Sequence, residues 1–205
     1  YIVMELLDGR PLSWDLARGA LPPEQAVRIV DGVLASLAEA HELGVVHRDL
    51  KPANIFLLGE PEDAAVAKVL DFGVAKRFDG GAEDLTEAGM AIGTPKYMAP
   101  EQFKGEPVDP RTDLYVCGAL LYAMLAGRAP FEADDAVPAP VAGLPEATRL
   151  GWLHIHGGLP RPPDVPDDLW GWLQRTMAKE PAGRPESAGV ARFGLRDTQV
   201  GARIL

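Results

Sequence analysis

Apolar residues recur three and four positions apart at Val27, Val30, Leu34 and Leu37, which predicts a long helix starting at Pro22 and Pro23 and running through Glu42. Gly44 ends it. A denser stretch holds Leu114, Val116, Cys117, Leu120, Leu121, Met124 and Leu125 and leaves little polar face. It predicts a helix from about residue 112 or 113 to residue 126, buried all round. Residues 167–177 place Leu169, Trp170, Leu173 and Met177 on one face of an amphipathic helix, and a further helix is expected over residues 147–155. Strand-like runs rich in β-branched and aromatic side chains cover residues 1–5, 54–58 and 65–70, the last two joined by the turn-rich GEPEDAA. Gly9 and Pro11 mark a bend, and Ser13 is expected to cap a short helix over residues 14–18. Residues 74–98 show little periodicity, and a connection of that length inside a compact domain is functional or disordered. Beyond Ser187 the glycines at 189, 194 and 201 interrupt what should be a final helix, and the last ten residues carry no pattern. With no repeat and no linker, one domain is expected.

Composition narrows the classes. A chain of 205 residues buries about 70% of its unfolded surface, enough for a real core. No apolar run is long enough to span a bilayer. Thirty acidic against twenty basic residues give a net charge of −10, which argues against a nucleic-acid partner, because that affinity rests on Lys and Arg neutralising phosphates. A single cysteine, Cys117, excludes an internal disulfide and reads as a buried small hydrophobe in a reducing, cytoplasmic setting. Tyr1 enters directly into the strand-like run, so the chain is expected to be cut at its start.

The chemistry concentrates in residues 47–57, HRDLKPANIFL. Asp49 can take a proton, Lys51 can hold an anion, Asn54 can ligate a metal and Arg48 can read a phosphate. Downstream of the two-strand unit, Asp71 in DFG adds a carboxylate of the kind Mg²⁺ prefers. The H-R-D-L-x-x-x-N pattern is matched at every fixed position, followed in order by strand, strand and DFG. The stretch resembles the catalytic loop of the eukaryotic-like (Hanks-type) serine/threonine protein kinases, bacterial type.

That resemblance, covering residues 1 to about 188, implies an α+β protein kinase-like fold. It would comprise a hinge and a mainly helical large lobe, with a small β-hairpin next to the active site. It implies a protein serine/threonine kinase using ATP and Mg²⁺, with Asp49 steering the acceptor hydroxyl proton, Lys51 near the transferring phosphate, and Asn54 and Asp71 as metal ligands. Met4 as gatekeeper, the backbones of Glu5 and Leu7, and Phe56 as lower wall would hold adenine. The segment GTPKYMAPE resembles the end of the activation segment, where Thr94 would bond back to Asp49 and Lys51; a plain Thr-Pro turn is the competing reading. Glu101 would pair with Arg184, and Asp113 would hold the backbone around His47 and Arg48, against a plain helix-dipole carboxylate. Arg48 implies control by phosphorylation, and of the hydroxyls between Val74 and Pro100, which are Thr86, Thr94 and Tyr97, Thr86 is expected to be the autophosphorylation site.

His41 and His47 read as packed structural histidines, and His154 with His156 lacks the further ligands a zinc site needs. No Gly-rich loop, strand lysine or helix glutamate of the kinase small lobe is found, so residues 1–205 are expected to be a large-lobe fragment, inactive alone. Implied partners are a protein substrate, ATP and a second copy for autophosphorylation; no nucleic acid and no membrane segment within the chain are expected. A small-molecule phosphotransferase and a non-catalytic binding or scaffold module remain as rivals.

Overall fold

Two helices with long apolar faces set the frame of the computed structural model, which describes residues 5–59, 66–72 and 95–204. The first, α2, spans Pro23–Glu42 and follows a three-residue strand β1 (Gly9–Pro11) and a short helix α1 (Leu12–Leu16). It buries Ala26, Val27, Ile29, Val30, Val33, Leu34 and Leu37. After the catalytic-loop stretch come β2 (Ile55–Leu58) and β3 (Val66–Val69), then α3 (Pro100–Lys104) and α4 (Pro110–Ala126). Helix α4 is buried on every side from Thr112 to Met124, because α2, α7 and α8 all pack on it. It starts at Asp109, whose carboxylate accepts the Arg111 N–H at 2.7 Å, and ends at Gly127 with φ of 68°.

The strands form one antiparallel sheet in the order β1-β2-β3, with Leu57 opposite Arg10 and Ala67. Its first strand lies where a bend was expected. Gly9 makes this pairing feasible: its φ is 155°, and a Cβ there would sit 2.0 Å from the Leu57 carbonyl oxygen. The expected Ser13 cap is not found. Helix α1 begins two residues earlier, after Pro11, with no side-chain cap, and Arg10 binds the buried Asp15 at 3.0 Å instead. Of the strand expected over residues 1–5, only Glu5 lies within the described residues, outside any regular element.

The proline-rich stretch holds a four-residue helix α5 (Ala139–Ala142) and then α6 (Glu146–His156). Helix α7 (Asp167–Thr176) buries Leu169, Trp172, Leu173 and Thr176, so its inner face centres on Trp172 and not on Trp170, which is only partly covered. Trp172 Nε1 donates to the Ala191 carbonyl at 2.8 Å. That carbonyl belongs to α8 (Ala188–Arg196), which forms in spite of its glycines: Ser187 caps it by accepting the Val190 N–H, and Gly194 faces the Trp172 ring. Arg192 and Arg196 fix α8 to α2 through a shared Asp31. Within the last ten residues a single helical turn, α9 (Gly201–Ile204), follows, held by Thr198. Among the described residues no helix is long and apolar enough to cross a membrane.

Candidate active site

The chain leaves α2 at Gly44 and enters the loop with His47 fully buried. His47 Nε2 lies 2.9 Å from the Leu70 carbonyl, to which it can only donate, so Nδ1 is left to accept the Asp49 N–H at 3.3 Å. Arg48 has a φ of 65°, a left-handed conformation costly for an L-residue with a Cβ. Asp113, at the start of α4, reaches back to the loop: its carboxylate accepts the N–H of His47 at 2.9 Å and of Arg48 at 3.0 Å. His41 Nε2, at the end of α2, lies 2.8 Å from the same carboxylate.

Past that anchor, the Asp49 side chain is 28% exposed and its Oδ2 accepts from Lys51 Nζ at 2.8 Å. Asn54 donates its amide nitrogen to the Asp49 carbonyl at 3.0 Å. The Leu70 N–H donates to the Asn54 carbonyl at 2.8 Å, which continues the β2–β3 ladder and leaves Asp71 one residue beyond it. Asp71 is exposed and has a φ of 57°, and Phe72 beyond it packs its ring 5.1 Å from His47. Such left-handed residues concentrate where backbone geometry serves function. Strand β2 turns Ile55 and Leu57 into the core and leaves Phe56 partly exposed on the other face. Phe56 pairs across the ladder with Lys68, whose ammonium binds Glu5, so Lys68 links Glu5 to the sheet position opposite Phe56. Met4, Thr86 and Thr94 lie outside the described residues.

The far end of the site rests on a buried ion pair. Arg184 meets Glu101 with both terminal nitrogens, at 2.7 and 2.8 Å, and donates as well to the carbonyls of Arg111, Ala178 and Lys179. Burial alone would raise Glu101, but the hydrogen bonds from Arg184 and Thr112 outweigh it and hold the carboxyl below its ordinary range. Cys117, in α4, is fully buried, and burial together with Asp113 pushes its thiol up, so it is not a nucleophile. His154 is fully buried between Phe103, Tyr115 and Phe131, with Nδ1 2.9 Å from the Tyr115 hydroxyl, and so holds helix α6 in place. The expected pattern did not single out Gln102. Its side chain joins the Arg48 carbonyl to the Ala99 N–H, and the only sequence signal for it is a glutamine at the third position of a helix.

A family model described as "Protein kinase domain" matches residues 1–192. The chain belongs to the protein kinase domain family. A Myxococcus xanthus protein named serine/threonine-protein kinase pkn3 is 40% identical over 205 residues, covering 96% of this kinase domain chain and 36% of that protein. Serine/threonine-protein kinase PknA of Mycobacterium tuberculosis (strain ATCC 25177 / H37Ra) is 34% identical, covering 99% of the chain and 44% of that protein. The chain therefore spans less than half the length of these curated relatives, all of them bacterial and of the eukaryotic-like serine/threonine type. The crystal structure of the Mycobacterium tuberculosis PknI kinase domain superposes with a TM-score of 0.64 at 26% identity, over 95% of the chain and 64% of that structure. The fold is the protein kinase fold, in its helical part with the small sheet beside the loop.

Proposed function

We infer that the protein containing this domain transfers the γ-phosphoryl group of ATP to serine and threonine hydroxyls of proteins. The observation that carries the reading is Asp49, partly exposed, bonded to the Lys51 ammonium, and fixed through its backbone by Asn54. A carboxylate held in this way can accept or steer the proton of an incoming hydroxyl, and the ammonium beside it can balance charge on the transferring group. The residues fit magnesium: with its nitrogen committed to Asp49, the Asn54 amide leaves its oxygen for a metal, and the exposed Asp71 follows one residue beyond the Leu70–Asn54 hydrogen bond. When bound, the metal would neutralise phosphate charge, and so few protein ligands suit an ion that keeps waters and phosphate oxygens. Adenine would lie between the Glu5–Leu7 backbone, with Met4 behind it, and Phe56.

The domain is read as hinge plus large lobe over residues 1–205, with cytoplasmic ATP as donor. Thr94 would bond back to Asp49 and Lys51. Thr86, phosphorylated by a second copy, would be bound by Arg48; phosphopeptide mapping of the active enzyme should find it modified. The deciding experiment uses the full-length protein with γ-labelled ATP and a generic Ser/Thr protein acceptor. Asp49→Asn should lower the rate by roughly 10²–10⁴-fold while leaving the melting temperature near that of the wild type. Undiminished transfer by the variant would refute the assignment.

A further inference from the structure

The left-handed Arg48 has both of its peptide groups held by side chains. Its N–H donates to Asp113 Oδ1 at 3.0 Å, and its carbonyl accepts from Gln102 Nε2 at 2.9 Å. Gln102 Oε1 in turn accepts the Ala99 N–H at 3.0 Å. The orientation of the amide is fixed by chemistry, since its NH₂ must meet the carbonyl and its oxygen the N–H. Arg48 and Gln102 are 54 residues apart, and no other side chain of α3 reaches the catalytic loop by a hydrogen bond among the described residues.

We propose that Gln102 is a positioning residue for phosphoryl transfer, bracing the Arg48–Asp49 peptide against the start of α3. The inference rests on the kinase reading of Asp49. Fixing the Arg48 carbonyl fixes the plane of the peptide whose N–H belongs to Asp49. That N–H bonds the His47 carbonyl at 2.9 Å, so the direction in which the Asp49 side chain leaves the backbone is set from both sides. Ala99 lies in the GTPKYMAPE segment, so the bridge makes the end of that segment and the catalytic loop a single unit. Its effect is expected on turnover and not on ATP binding, because among the described residues the Gln102 side chain bonds only to Arg48 and Ala99 and to nothing in residues 5–7.

The competing role is a helix cap and nothing more. Ala99 offers no side-chain acceptor, and Gln102 at the third helical position takes its N–H. Gln102→Glu separates the two roles: glutamate at that position keeps the acceptor for Ala99 and suits the helix N-terminus, but it has no N–H for the Arg48 carbonyl. Gln102→Met, uncharged and of similar length, lacks both bonds and controls for the added charge. In the full-length protein, both variants should show faster amide exchange over residues 46–52 and a kcat lowered roughly 10- to 100-fold, with KM for ATP little changed. The melting temperature of Gln102→Glu should stay near that of the wild type. Unchanged loop exchange in both variants overturns the proposal whatever the activity, and faster exchange with undiminished kcat overturns it too. If the wild type itself transfers no phosphate while exchange rises, the bridge stands and the kinase reading is what has failed.

Discussion

Asp113 shows how one residue fixes a loop it does not belong to. Its carboxylate is fully buried and takes hydrogen bonds from the backbone of His47 and Arg48 and from the His41 ring. Deleting it would leave those backbone N–H groups inside the protein without acceptors, at about 1–3 kcal/mol each. Asp113→Ala should therefore destabilise the domain markedly in urea unfolding, while Asp113→Asn, which keeps one acceptor oxygen, should cost less. Contrast Arg196, whose side chain is 42% exposed where it meets Asp31. Solvent screens that pair, and its loss should fall within the ~0.2–1 kcal/mol of exposed ion pairs. The H-R-D spacing made the loop residues legible in the sequence, because their neighbours are local. Gln102 was not legible, since its partner is a backbone carbonyl, which has no residue identity to read, brought near only by the fold.

Among the elements, α2 and α4 could be read because their apolar spacing is sustained over several turns. Strand β1 could not: three residues containing a glycine and a proline show no period, and its pairing is supplied wholly by β2. Helix α8 was obscured by its glycines at 189 and 194, which lower helix propensity, while packing against α2 and α7 and the Ser187 cap supply what the local pattern lacks. The same packing explains why Trp172 and not Trp170 lies inward. Elements are joined at the far end of the lobe by Arg184, whose side chain is fully buried and whose partners come from α3, the start of α4 and the segment after α7. Removing one partner of a buried pair strands the other's charge, so Arg184→Ala should cost about 3–5 kcal/mol in thermal or urea unfolding. Arg184→Lys should recover only part of that, because an ammonium cannot meet both Glu101 oxygens in a planar fork.

For the molecule as a whole, buried titratable groups decide how stability responds to acid. His154, closed in by Phe103, Tyr115 and Phe131, is lowered from 6.5 to about 3, by burial first and then by the nearby Lys179 charge. A folded value below the unfolded one means that the unfolded chain binds the proton more readily. The stabilisation is then complete above pH 6.5 and is lost as pH falls toward about 3. Between pH 7 and pH 5 this group alone should remove about 2 kcal/mol. Glu101 and Asp31 are also held below their ordinary values of 4.5 and 3.8, so their contributions persist above those values and are lost only on further acidification. The window from pH 7 to pH 5 thus avoids those carboxylates, and comparison with a variant lacking the imidazole separates His154 from the other three histidines. His154→Phe keeps an aromatic ring against Phe103 and Phe131 and removes the titration. Urea unfolding of both proteins at pH 7 and pH 5 should show the wild type losing about 2 kcal/mol more than the variant, whatever the variant's absolute stability. Equal losses would mean that His154 is not buried as a neutral ring, and that helix α6 is seated differently against α3 and α4.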